Sequence, residues 1–287
     1  MDSRTQYLKQ LEQQWENLTI TNDIMFGMVM ENEQICLELI QRSLPELNIK
    51  SISKVIPQKQ INGPISSRTI RVDIFVRDDC QRTFAIEMQV ANRHNLPFRL
   101  RYYQQQIDFD ILNVGDSYEK LGGYPTYVIM FCDFDYFGFG WSKYEFENRC
   151  LDNPELKLGD KRRIIIFNAK ATKFHGSMRL RGFLQLMENT VDEKDQFVSD
   201  IQAEMKRIRE DPIRRHGFMK YELDLMDARS EGHKAGVEEG KQTGKIEGTI
   251  DTLQQLGYSQ AQIIAEVEKT YGISKAQIMN LLDGLSK

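Results

Sequence analysis

Thr69-Ile-Arg-Val-Asp-Ile-Phe-Val76 and Phe84-Ala-Ile-Glu-Met-Gln-Val90 both alternate apolar and polar side chains, with Arg77-Asp-Asp-Cys-Gln-Arg82 between them. Ile70, Val72, Ile74 and Val76 alternate with Arg71, Asp73 and Phe75; Phe84, Ile86, Met88 and Val90 alternate with Ala85, Glu87 and Gln89. This two-residue period predicts a β-hairpin with Asp73, Glu87 and Gln89 on the face opposite the apolar one. If the hairpin is symmetric about Cys80, Asp73 and Glu87 face each other, with Cβ atoms about 5 Å apart. Two like charges so placed either cost stability or hold a cation, and oxygen ligands of this kind suit Mg²⁺ or Mn²⁺.

Around the hairpin the pattern is that of a mixed sheet flanked by helices. Tyr7–Glu16 reads as an N-terminal helix, and Thr21-Asn-Asp23 as the cap of a second, starting near Ile24. Ile35–Ser43 reads as a third, ending before Pro45. Pro97 opens a long helix over about Phe98–Val114, since proline suits a first helical turn. Tyr127–Cys132 is a continuous apolar run, expected of a strand buried on both faces, and Arg163–Asn168 is a second such strand. An α/β core follows. Beyond about residue 178 the apolar residues fall at helical steps: Leu180, Phe183, Leu184 and Met187, then Val198, Ile201, Met205 and Ile208. The second stripe is core or a dimer surface. Gly232, Gly236, Gly240, Gly244 and Gly248 recur every four residues, as a small-residue seam for another helix or a flexible linker. Ser259–Leu285 reads as two short helices.

The 287 residues are 40% hydrophobic and 10% aromatic, which supplies an ordinary core. No apolar run reaches the roughly 18–20 residues of a membrane span, and no signal-peptide pattern is present, so a cytoplasmic protein without membrane contact is expected. Cys36, Cys80, Cys132 and Cys150 are too scattered for a zinc site. The net charge of −4 gives no global attraction to nucleic acid, although Lys161–Arg181 holds seven basic residues and no acidic one. That stretch is a DNA-backbone track or a solvated helix entrance.

Asp73 in Arg-Val-Asp-Ile, followed by Glu87-Met88-Gln89, resembles the core motif of the PD-(D/E)XK nuclease superfamily. More narrowly, it is similar to the branch of transposases and recombination-promoting nucleases in which Gln commonly replaces the motif's Lys. Asn22-Asp-Ile-Met-Phe26, Arg99-Leu-Arg-Tyr-Tyr103 and Tyr124-Pro-Thr-Tyr-Val-Ile129 support it, so that the resemblance runs over roughly residues 18 to 190. It implies a restriction-endonuclease-like core in 1–190, followed by a helical extension in 191–230, a glycine-rich helix or linker in 231–250 and a small helical module in 251–287. It also implies a DNA endonuclease of low sequence specificity that uses Mg²⁺ or Mn²⁺. Asp73 and Glu87 would hold the ion with the Met88 carbonyl, and Asp23 or Glu31 would complete the site. Gln89 would stand in a catalytic position but donate only a neutral hydrogen bond, which leaves room for another base or cation to compensate. Arg99, Tyr103 and Gln106, at steps of four and three on one helix face, would contact DNA. The rival readings are a nuclease fold that has lost cleavage and binds DNA, and a scaffold that forms homodimers or larger oligomers through its helical C-terminal third.

Overall fold

The computed structural model describes residues 3–61, 68–174 and 178–285. In chain order they form helices α1 (Ser3–Glu16), α2 (Asp23–Met30) and α3 (Glu33–Ser43), strands β1 (Ile56–Ile61), β2 (Ile70–Arg77) and β3 (Thr83–Gln89), and helix α4 (Leu96–Ile111). Strands β4 (Thr126–Cys132), β5 (Lys143–Phe146) and β6 (Arg162–Asn168) follow, then helices α5 (Arg181–Met187), α6 (Gln196–Glu210), α7 (Pro212–Gln255), α8 (Gln260–Tyr271) and α9 (Lys275–Leu285). The chain divides into two compact units, one through His216 and one from Gly217.

The first unit is built on a six-stranded sheet of order β1-β2-β3-β4-β6-β5. β3, β4 and β6 run parallel, and the other neighbours pair antiparallel. All seven residues of β4 are buried, as the apolar run requires of a central strand covered on both faces. On one face Leu96, Leu100, Tyr103, Ile107 and Ile111 of α4 pack on Ala85, Val128, Met130 and Cys132. On the other, Phe183 of α5 meets Phe131 edge-on, with ring centroids 5.0 Å apart. α2 packs against β1, β2, α3 and α6. Asn22 caps α2 by accepting from the N–H groups of Ile24 and Met25, and Asn32 does the same for α3. Val198, Ile201, Met205 and Ile208 of α6 are all buried within this unit, so the stripe is core rather than a dimer surface.

The hairpin departs from its sequence pattern in one respect. Asp73 and Glu87 do not lie on a solvated face: they are 8% and 1% exposed, because β2 and β3 are interior strands with both faces covered. Ile70, Val72 and Phe75 all join the cluster on the α4 side, so the alternation of β2 is interrupted between Val72 and Phe75.

In the second unit, residues 231–250 lie inside the continuous helix α7, and an added Cβ at Gly232, Gly236, Gly240, Gly244 or Gly248 would meet only open space. Ile246 and Ile250 of α7, Ile263 and Val267 of α8, and Ile278 and Leu282 of α9 form this unit's own core. Among the described residues no helix is long and apolar enough to cross a membrane.

Candidate active site

The register of the central hairpin places the site. Arg77 pairs with Thr83, Val76 with Phe84, Phe75 with Ala85 and Ile74 with Ile86, a ladder centred on Cys80. Buried Asp78 fixes the turn, since its Oδ1 accepts from the N–H groups of Cys80 and Arg82, both at 2.9 Å, and its carboxylate pairs with the Arg82 side chain. One step beyond Ile74 and Ile86 the main-chain ladder gives way to side chains. The Asp73 N–H donates to Glu87 Oε1 at 3.1 Å, and the Met88 N–H donates to Asp73 Oδ2 at 3.0 Å. Each carboxylate thus takes over a main-chain donor of the opposite strand, which satisfies buried N–H groups and draws the two acids together.

This pairing is electrostatically costly. Burial, then the charge of Asp73, pushes the Glu87 carboxyl up to about 8; Arg99 and the two hydrogen bonds pull the other way. Asp73 is also raised, by burial first, with the bond from Met88 opposing and the charge of Asp23 adding to the rise. Two buried carboxylates that resist ionisation side by side are the setting a divalent cation relieves. Among the described residues no three His, Cys, Asp or Glu side chains converge as a metal cage, so an ion here would complete its shell with main-chain oxygen and water. Hard oxygen donors and a mostly aqueous shell fit Mg²⁺ or Mn²⁺.

The structure separates the residues nominated from sequence. Asp23, at the start of α2, lies near the pair: its charge acts on Asp73, and it faces Arg71 at 3.9 Å. Glu31, beyond the far end of the same helix, instead forms a 2.7 Å ion pair with Arg214. Of these two acids only Asp23 is brought toward the centre. Arg99 and Tyr103 join the acids directly. Arg99 Nη2 donates to Glu87 Oε2 at 2.8 Å and to Tyr103 Oη at 2.8 Å, Nε donates to Tyr103 Oη at 3.1 Å, and Nη1 donates to Gln89 Oε1. Tyr103 donates in turn to Glu87 at 3.4 Å, and burial followed by the nearby Glu87 charge pushes its hydroxyl up to about 12. Gln89 Nε2 donates to the carbonyl of Ala91 at 2.7 Å. Gln106 corrects the expectation of a DNA contact: it is 1% exposed, and its Oε1 is buried without a hydrogen-bond partner.

Two neighbours escaped the sequence reading. Gln58 on β1 donates to Asp73 Oδ1 at 3.2 Å and holds a left-handed φ of +51° within a strand, a conformation unfavourable for a side-chain-bearing residue. Asp133, just past β4, donates its N–H to the Gln89 carbonyl at 3.0 Å. Three of the seven basic residues of the stretch are held in ion pairs: Arg162 with Asp108, Arg163 with Glu46 and Glu145, Lys170 with Asp133 and Glu188.

No curated protein and no solved structure matches the chain. A family model does: that of the PD-(D/E)XK nuclease family transposases covers residues 23–230, which takes in the whole sheet and the hairpin with its paired carboxylates. With the sheet order and the acid pair at the β2–β3 crossing, the match shows that this chain belongs to the PD-(D/E)XK nuclease family transposases and carries their restriction-endonuclease-like fold.

Proposed function

We propose that the chain is a metal-dependent DNA endonuclease of low sequence specificity that serves recombination or mobile elements. The observation that carries this reading is the interlocked, buried Asp73–Glu87 pair, whose repulsion a divalent cation would relieve. Family membership supports nuclease activity, and nucleases of this kind generally use divalent metals. Asp73 and Glu87, with the Met88 carbonyl and water, would hold Mg²⁺ or Mn²⁺, the charge of Asp23 acting from farther off. When bound, such an ion neutralises charge on the phosphate and acidifies the attacking water. The chain's own contribution is geometric. Gln58 and the Met88 N–H fix the Asp73 carboxylate, while Arg99, Tyr103 and the Asp73 N–H fix that of Glu87. In the reaction the water oxygen bonds to phosphorus as one ester P–O bond breaks, leaving a phosphate end and a hydroxyl end; the water's proton leaves to solvent and the departing oxygen takes one up.

One observation favours the rival reading of a fold that has lost cleavage: Glu87 has a counter-charge of its own in Arg99, 2.8 Å away. Incubation with supercoiled plasmid in Mg²⁺, Mn²⁺ or EDTA, beside Asp73→Ala, separates the two. Nicking that requires metal and is lost in the variant is expected. A folded wild type that cuts in none of these conditions would leave DNA binding or self-assembly as the function.

A further inference from the structure

Gln89 has the position of a catalytic donor and the bonds of a support. Its Nε2 is directed back to the carbonyl of Ala91, two residues on, and its Oε1 accepts from Arg99. One of the two Nε2 protons and one Oε1 lone pair are thus spent within the protein. Arg99 brings to the same place the charge that the amide lacks. Of the five N–H donors of a guanidinium, its contacts to Tyr103, Glu87 and Gln89 take four, which leaves one Nη1 proton. Its side chain is 32% exposed, against 1% for that of Glu87, so the cation lies between the buried acid and solvent. Arg71 faces Asp23 at 3.9 Å.

We propose that Arg99 is the positively charged catalytic residue of this centre, contacting a non-bridging oxygen of the scissile phosphate, and that Gln89 is its positioning residue. The inference rests on the hydrolytic reading above. A transition state of phosphodiester hydrolysis gains negative charge on those oxygens, and a cation fixed in advance stabilises it without reorganisation. The planar guanidinium suits this task because it grips two acceptors and retains a donor. A glutamine at position 89 is an acceptor that holds Arg99 without adding a second negative charge beside that of Glu87; a carboxylate there would add one. Tyr103, 6% exposed, adds a hydroxyl that accepts from both Nε and Nη2 and fixes the plane of the fork.

The test compares full-length wild type, Arg99→Gln, Arg99→Lys, Gln89→Glu and the double variant Arg99→Gln/Gln89→Lys. Plasmid cleavage is measured in Mn²⁺, and Mn²⁺ binding is measured by calorimetry without DNA. Arg99→Gln is expected to cut on the order of a hundredfold more slowly. It should bind Mn²⁺ at least as tightly as wild type, because a cation has been removed from beside the carboxylates. Arg99→Lys and the double variant should each recover part of the lost rate, the latter by supplying the charge from the neighbouring strand. Gln89→Glu, which leaves Arg99 in place, should also cut more slowly, and it keeps the idea testable if the Arg99 variants fail to fold. Wild-type cleavage by Arg99→Gln or by Gln89→Glu overturns the assignment. So does a joint loss of rate and Mn²⁺ affinity in Arg99→Gln that lysine at position 89 fails to repair, the signature of a purely structural arginine. If the wild type itself does not cut, the hydrolytic reading fails instead.

Discussion

Glu87 carries the sharpest electrostatic consequence of the site. Its carboxyl is pushed from an ordinary 4.5 up to about 8, chiefly by burial and secondarily by Asp73. The folded state therefore holds this proton more tightly than the unfolded chain does. For this group stability is greatest below about pH 4.5, falls as pH rises, and levels off above about pH 8, where both states are ionised. The metal-free wild type should lose thermal stability between about pH 5 and 8 more steeply than Glu87→Gln, measured by circular-dichroism melts; parallel slopes would remove Glu87 as the cause. At this scale the sequence was informative where a short-range rule applied. Hairpin symmetry about Cys80 predicts Asp73 opposite Glu87; the ladder keeps that centre as far as Ile74 and Ile86, and one step beyond it the Asp73 N–H donates to the Glu87 side chain. Gln58 could not be found that way, because its contact with Asp73 depends on a left-handed backbone inside a strand, and no local residue pattern announces one. Asp23 and Glu31 looked equivalent until helix α2 placed them at opposite ends. Gln106 kept the predicted step from Tyr103 but turned inward with the buried side of α4.

Among the elements, α5 and α6 approach closely at Gly182. A Cβ on Gly182 would lie 2.5 Å from Asp195 Oδ2 and 2.9 Å from Val198 Cγ2. Asp195 cannot easily yield, since it caps α6 and holds Arg42 of α3 at 2.8 Å. Gly182→Ala should therefore lower stability by about 1–3 kcal/mol in urea titration, through overpacking; an unchanged midpoint would mean that the two helices separate freely. Strands that are apolar throughout were legible: β4 was visible as Tyr127–Cys132, and its flanking helix α4 from Pro97. β1 was not, because Ile-Pro-Gln-Lys-Gln-Ile is an edge strand with polar residues inside apolar ends, and the four residues of β5 are too few to show a period. The α6 stripe was legible as a helix face, but a face alone does not say whether it covers the core or a second copy.

The whole molecule joins a sheet-based unit to a helical one, and the second has its own small core. Ile250→Ala, at a fully buried position, should destabilise that unit by about 2–5 kcal/mol, seen as faster hydrogen exchange in α8 and α9, with plasmid cleavage unchanged. The five-glycine period of α7 faces open space, so Gly236→Ala and Gly240→Ala should each stabilise the helix by about 1 kcal/mol in thermal melts. A loss of stability together with a loss of oligomers would instead reveal a seam between copies. The central claim, that the buried acid pair performs phosphodiester hydrolysis, is tested most directly by the plasmid-nicking rates of wild type and Glu87→Gln, measured side by side in Mn²⁺. The account predicts metal-dependent nicking by the wild type and its collapse in a Glu87→Gln protein that remains folded; equal rates in the two proteins, or none in the wild type, would contradict it.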